Sequence, residues 1–185
     1  KAHILMAKYA LDYCEYVLLT PCTKPPHKDN AGITDDNIRY TMLCLALDGY
    51  EKLIASDMEL KRATTTYTID TLKQVKKEYP IFEKIIYIIG ADTLFQLKTW
   101  REYEEVFKLC TFLVFGRSGF TEEQITEQIE IFKKDYGADI IFDIRCISEI
   151  SSTAIRKGIA EQDNSIEWML DKKVYRYIKE NGIYK

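Results

Sequence analysis

Ser151-Ser152-Thr153-Ala154-Ile155-Arg156 places hydroxyl side chains where a helix would start and an arginine four residues beyond Ser152. Such a start leaves backbone N–H groups aimed at one spot, with the positive end of the helix dipole behind them. One turn on, the Arg156 guanidinium shares that face, so the segment suits phosphate groups. The plainer reading is a capped helix with a solvated arginine. His3 stands at another helix start and could donate to a phosphate oxygen or simply cap its helix. Lys24, His27 and Lys28 share a loop stiffened by Pro25-Pro26, readable as a phosphate-facing loop or a solvated basic turn. In Gly90-Ala91-Asp92 the glycine lets a ligand approach the backbone, and the carboxylate can accept from ribose hydroxyls or cap the next helix. Trp100 lies outside any apolar stripe, suited to stacking on a ring or to packing. Thr68 opens a helix and could hold a carboxylate.

The elements that must position these residues alternate. Ile4, Leu5, Ala7 and Leu11 recur at helical spacing through about Tyr13, followed by a strand at Tyr16–Thr20 and a polar loop, Pro21–Thr34. Asp35 or Asp36 can cap a helix striped by Ile38, Met42, Leu45 and Ala46 and stopped at Gly49. Strands are expected at Leu53–Ala55, Lys84–Ile89, Thr111–Phe115, Ile140–Phe142 and Arg145–Ile147. Helices are expected at Ile69–Glu78, Arg101–Lys108, after the Thr121/Gln124 capping box, from Ser151 or Ser152 to a stop at Gly158, and at Asp171–Glu180. The helix after Thr121 should turn Ile125, Ile129, Phe132 and Tyr136 inward. Strands spaced by helices mean βαβ units, hence a parallel sheet with right-handed crossovers. Ligands of such sheets bind at the carboxyl ends of the strands, which directs attention to the loops after Thr20, Ala55, Ile89, Phe115 and Ile147. A helix opening such a fold normally descends from a central strand; the expectation is that roughly 15 residues carrying it precede Lys1.

With 185 residues and 46% apolar content, one domain spanning 1–185 can bury a real core. Net charge is −3, from 26 Lys plus Arg against 29 Asp plus Glu, which argues against a nucleic-acid-binding surface. No apolar run reaches the roughly 18–20 residues of a membrane span, so no membrane partner is expected. The cysteines at 14, 22, 44, 110 and 146 form no CxxC pair, which argues against a disulfide framework and a zinc site. Cys44 and Cys110 read as small core residues, and the expected compartment is the reducing cytoplasm. With only His3 and His27, no His-rich metal centre is expected.

Taken together, Thr66-Tyr67-Thr68-Ile69-Asp70-Thr71-Leu72, Ile88-Ile89-Gly90-Ala91-Asp92, Trp100 and Ile150-Ser151-Ser152-Thr153-Ala154-Ile155-Arg156 resemble bacterial nicotinate-nucleotide adenylyltransferases. Pro25-Pro26-His27-Lys28, the run Ser56–Arg62 and the closing Val174–Tyr184 resemble the same family, in the same order. The resemblance implies a single Rossmann-like parallel sheet, helices on both faces, with its first strand missing from the chain. It implies that His3, matching the second histidine of an (H/T)xGH signature, touches ATP phosphates. Ile150, Ser151, Ser152, Thr153 and Arg156 match the second ATP motif, and Gly90 and Asp92 the positions near the adenosine ribose. Tyr67, Thr68 and Trp100 match the nicotinate site, with Trp100 stacking on the pyridine ring; His27 and Lys28 match the phosphate-facing loop. Ala2 departs from the signature, which has glycine there, and Thr66 stands where serine is usual.

The implied reaction is attack of the 5′-phosphate of nicotinate mononucleotide on the α-phosphorus of ATP, giving nicotinate adenine dinucleotide and pyrophosphate. No protein nucleophile is needed; His3, Lys28, Arg156 and backbone N–H groups would neutralise charge on the phosphoryl oxygens. Mg²⁺ should arrive with ATP, and no protein metal site is expected. Two alternatives stay open, a related transferase with another acceptor and a catalytically weak nucleotide-binding module, and a homo-oligomer is compatible with either.

Overall fold

A computed structural model describes residues 1–22, 34–62, 65–147 and 150–184. They fall into two compact units, one of Lys1–Pro21, Gly32–Asp57 and Ser148–Lys185, the other of Cys22–Ala31 and Met58–Ile147.

The first unit holds helix α1 (Ala2–Ala10), strand β1 (Val17–Leu19), α2 (Asp36–Leu47) and β2 (Leu53–Ala55). The later part of the chain adds α7 (Ser152–Ala160), a 3₁₀ turn at Asn164–Met169 and α8 (Lys172–Glu180). β1 and β2 pair in parallel, Val17 opposite Leu53 through Leu19 opposite Ala55. Asp35 caps α2 by accepting from the Asn37 and Ile38 N–H groups at 2.9 and 3.4 Å. The predicted stripe of Ile38, Met42, Leu45 and Ala46 packs on a buried group of Ile159, Ile166, Val174, Ile178 and Ile183. Apolar residues at this helical spacing face one way, so α2 and α8 share that core.

The second unit holds α3 (Thr68–Glu78), β3 (Ile86–Gly90), α4 (Ala91–Leu94), α5 (Tyr103–Leu109), β4 (Thr111–Arg117), α6 (Glu122–Tyr136) and β5 (Ile140–Ile147). Its sheet runs β3-β4-β5, all parallel. β4 is buried from Thr111 to Gly116, as an unbroken apolar run in a parallel strand requires when both faces are covered. The Thr121/Gln124 capping box is formed, Thr121 N–H to Gln124 Oε1 at 2.9 Å and Gln124 N–H to Thr121 Oγ1 at 3.3 Å. Ile125, Ile129 and Phe132 are buried and Tyr136 packs beside them, as the pattern predicted.

The structure departs from the sequence reading in four places. The expected single sheet is two, because among the described residues β1 pairs only with β2 and β3 only with β4. The two segments at Ile140–Phe142 and Arg145–Ile147 are one strand: Phe115 pairs with Asp143 but Gly116 with Cys146, so Ile144 and Arg145 form a bulge. Gly158 does not end α7. It lies within the helix, where a Cβ would meet Ile166 Cγ2 at 2.6 Å, so it is there for close packing. Cys110 is buried as expected but Cys44 is exposed, on the side of α2 that borders Asp48 and Ala55 rather than the core stripe. Among the described residues, no helix is long and apolar enough to cross a membrane.

Candidate active site

In the first unit the sequence-selected residues gather on α7. Ser151 caps it, its Oγ accepting from the Ala154 N–H at 3.0 Å. Helix geometry leaves the earlier amides, those of Ser152 and Thr153, without intrahelical acceptors. Ser152, Thr153 and Arg156 are exposed, Ile150 and Ser151 half-buried. The Arg156 guanidinium reaches back one turn to Thr153 Oγ1 at 3.4 Å, so the cation and the free amides share one face. That face can receive an anion, with the Gly158–Ile166 contact fixing the helix behind it. His3 occupies the first turn of α1 and is exposed. His27 and Lys28 lie outside the described residues.

In the second unit Thr68 opens α3 with Tyr67 extended before it. The Thr68 hydroxyl stands 3.5 Å from the Tyr87 hydroxyl on β3. Removal from water pushes the Tyr87 phenol up to about 12, so it stays protonated and can donate. The Tyr87 ring meets Trp100 edge-on at 5.8 Å and 83°, and Phe112 at 5.9 Å and 72°. Trp100 is thereby half-buried against the core, a position that gives it a packing role and leaves part of the indole outside. The Arg101 guanidinium lies over the Tyr67 ring at 4.8 Å.

A polar network fixes α3 from below. Buried Glu59 accepts from Thr71 Oγ1 at 2.8 Å, and Arg62 donates to Thr71 Oγ1 at 3.0 Å and, through Nε, to Gln74 Oε1 at 2.8 Å. Burial raises the Glu59 carboxyl above its usual range, against the opposing pull of Thr71, Arg62 and Cys22. At the end of β3, Gly90 leads into Asp92, whose Oδ2 accepts from Arg117 Nη1 at 2.7 Å. Asp92 Oδ1 is buried without a donor among the described residues, as are the hydroxyls of Thr20 and Thr66. Unsatisfied buried oxygens are uncommon and mark places where a ligand or water can complete the bonding.

Sequence reasoning missed Arg117, Tyr87 and the bonds that join Glu59, Arg62 and Thr71. Arg117 closes the β4 run one residue after Gly116, in one of the strand-end loops the parallel-sheet rule singles out, so its position carried the signal. Tyr87 looked like one more strand aromatic. The bonds joining Glu59, Arg62 and Thr71 span up to 12 residues and leave no local pattern.

Polar groups at the carboxyl ends of parallel strands are where α/β proteins of the nucleotide-binding class hold their ligands. The cytidylyltransferase-like family model matches residues 1–158. A Clostridium botulinum (strain Okra) protein named probable nicotinate-nucleotide adenylyltransferase is 36% identical over 187 residues, covering 100% of this chain and 92% of that protein. A Clostridium novyi protein of the same name is 37% identical, covering 91% and 84%. The fold matches Plasmodium falciparum nicotinic acid mononucleotide adenylyltransferase, solved with NaAD, at a TM-score of 0.76 and 18% identity, covering 99% of this chain and 90% of that one. The chain belongs to the cytidylyltransferase-like family and, within it, to the nicotinate-nucleotide adenylyltransferases.

Proposed function

We propose that the chain, acting as one nucleotidyltransferase domain over residues 1–185, transfers the adenylyl group of ATP to nicotinate mononucleotide. Nicotinate adenine dinucleotide and pyrophosphate are the products, in the service of NAD biosynthesis. The observation that carries this reading is 36% identity across the whole chain to relatives bearing that name. The phosphate-binding motif and the Thr68–Trp100 segment support it from the residues upward.

In this reading the acceptor phosphate attacks the α-phosphorus in line, the bond to the bridging oxygen of pyrophosphate breaks, and no covalent enzyme intermediate forms. His3, Lys28 and Arg156 balance charge on the phosphoryl oxygens, aided by the amides at Ser152 and Thr153. Ile150 and the Ser151–Thr153 segment border the nucleotide, and Gly90 and Asp92 take its ribose. Tyr67, Thr68 and Trp100 take the pyridine ring and its carboxylate, with His27 beside the acceptor phosphate. Mg²⁺ would enter with ATP, as it usually does when bound through substrate phosphates. The test is pyrophosphate release from ATP with each of several acceptors. Turnover with nicotinate mononucleotide supports the reading; turnover only with a cytidylyl or pantetheine substrate overturns it.

A further inference from the structure

Asp92 is held in an unusual state. One carboxylate oxygen, Oδ2, is clamped by Arg117 Nη1 at 2.7 Å. The other, Oδ1, is shielded from solvent and has no donor among the described residues. It presses on Gly90: a Cβ built there would lie 2.7 Å from Oδ1 and 3.9 Å from Arg117 Nη1. A side chain at position 90 would require the carboxylate to turn away, so glycine is what leaves Oδ1 in this place. An ionised carboxylate with one oxygen unsatisfied is uncomfortable, because the lone pairs of Oδ1 have lost water without gaining a hydrogen bond. The terminal torsion of an aspartate is soft, so turning about the Arg117 contact brings Oδ1 outward with little resistance.

We propose that Arg117 is a positioning residue for the nucleotide sugar, the fixed point on which the Asp92 carboxylate turns to receive a vicinal diol. The proposal rests on the reading that Asp92 takes the ribose of ATP, and adds what makes Asp92 competent. Arg117 stands at the end of β4 and Asp92 just past the end of β3, and the two strands pair from Ile86–Thr111 to Gly90–Phe115. The clamp thus ties Asp92 to the strand beside its own. A diol offers two O–H donors, and a carboxylate anchored at one oxygen offers acceptors in fixed directions, which makes short, charge-assisted bonds. Lysine at position 117 would supply charge without the planar fork that holds one oxygen at a set angle. Without any cation there, the carboxylate is free to rotate and the ordering falls on ligand binding.

The experiment is equilibrium titration of the full chain with ATP, 2′-deoxy-ATP and 3′-deoxy-ATP, comparing wild type, Arg117→Met, Arg117→Lys and Asp92→Asn. Wild type should bind ATP more tightly than at least one deoxy analogue, roughly ten- to hundred-fold, the range of one charge-assisted hydrogen bond. Arg117→Met should lose most of that discrimination, as Asp92→Asn does, while binding both deoxy analogues about as wild type does. Arg117→Lys should fall between. A purely structural role would weaken all three ligands together. If Arg117→Met discriminates as sharply as wild type, or weakens all three equally, the proposal is overturned while the ribose reading stands. If wild type shows no preference for ATP over either deoxy analogue, the ribose reading fails and the proposal with it.

Discussion

The two units hold their candidate residues in opposite ways. In the second, Thr68 and Trp100 lean on a dense interior: Phe112 to Phe115 of β4 are wholly out of water, and Tyr87 meets Thr68, Phe112 and Trp100. In the first, β1 and β2 have three residues each, and His3 on α1 is exposed, as are Ser152, Thr153 and Arg156, which a cap and one glycine contact set in place on α7. Recognition of a flat ring and a sugar needs side chains fixed by packing, because shape is what is read. Binding of phosphates needs amides and a cation reachable from solvent, and the helix supplies their geometry without help from a core. Stability and function should therefore be coupled in the second unit and separable in the first.

The largest effect should come from Phe112→Ala, which opens a cavity where the Tyr87, Trp100 and Phe107 rings meet. A loss of about 3–5 kcal/mol is expected, a fall in melting temperature of roughly 6–20 °C. Thermal melting beside acceptor KM would show both change together; an unchanged KM would break the coupling. Next is Arg156→Ala, which should lower turnover and ATP affinity by roughly ten- to hundred-fold with melting unchanged, since the side chain is exposed. A variant that melts early would mean that the first unit also builds its site from packing.

Much of this contrast was legible in the sequence. The Thr121/Gln124 box, the α2 stripe and the buried run of β4 are local patterns with local causes and formed as read, and of the two aspartates that could cap α2 it is Asp35 that does. The candidate residues were proposed because motif chemistry and strand ends coincide in this class of fold. Partners distant in sequence were not legible: Arg117 with Asp92 is 25 residues apart, and Glu59 with Thr71 is 12. Gly158 was misread because a glycine near a helix end usually means a stop, whereas here Ile166 requires it.

Gly158→Ala tests that packing and should cost about 1–3 kcal/mol by forcing Cβ against Ile166. The penalty should shrink in an Ile166→Ala background, since the two sites touch; equal penalties in both backgrounds would remove the contact from the account. The smallest effect is on pH dependence. Glu59 is held above its unfolded value by burial, so the folded state keeps its proton longer than the unfolded chain. This favours the fold below the unfolded carboxylate value, and the advantage is lost as pH rises through the raised folded value. In urea unfolding of wild type and Glu59→Gln, the stability of wild type relative to the variant should fall as pH rises across that window. A difference that grows with pH would reverse the sign assigned to Glu59.

The most direct test compares nicotinate mononucleotide with its nicotinamide counterpart at fixed ATP, reading pyrophosphate release. A carboxylate gains a charge-assisted bond at the start of α3 and a neutral amide gains less. The account predicts kcat/KM at least about ten-fold higher for the acid, the worth of one such bond. Equal values for acid and amide would contradict the assignment of Thr68 and Trp100 to a nicotinate site.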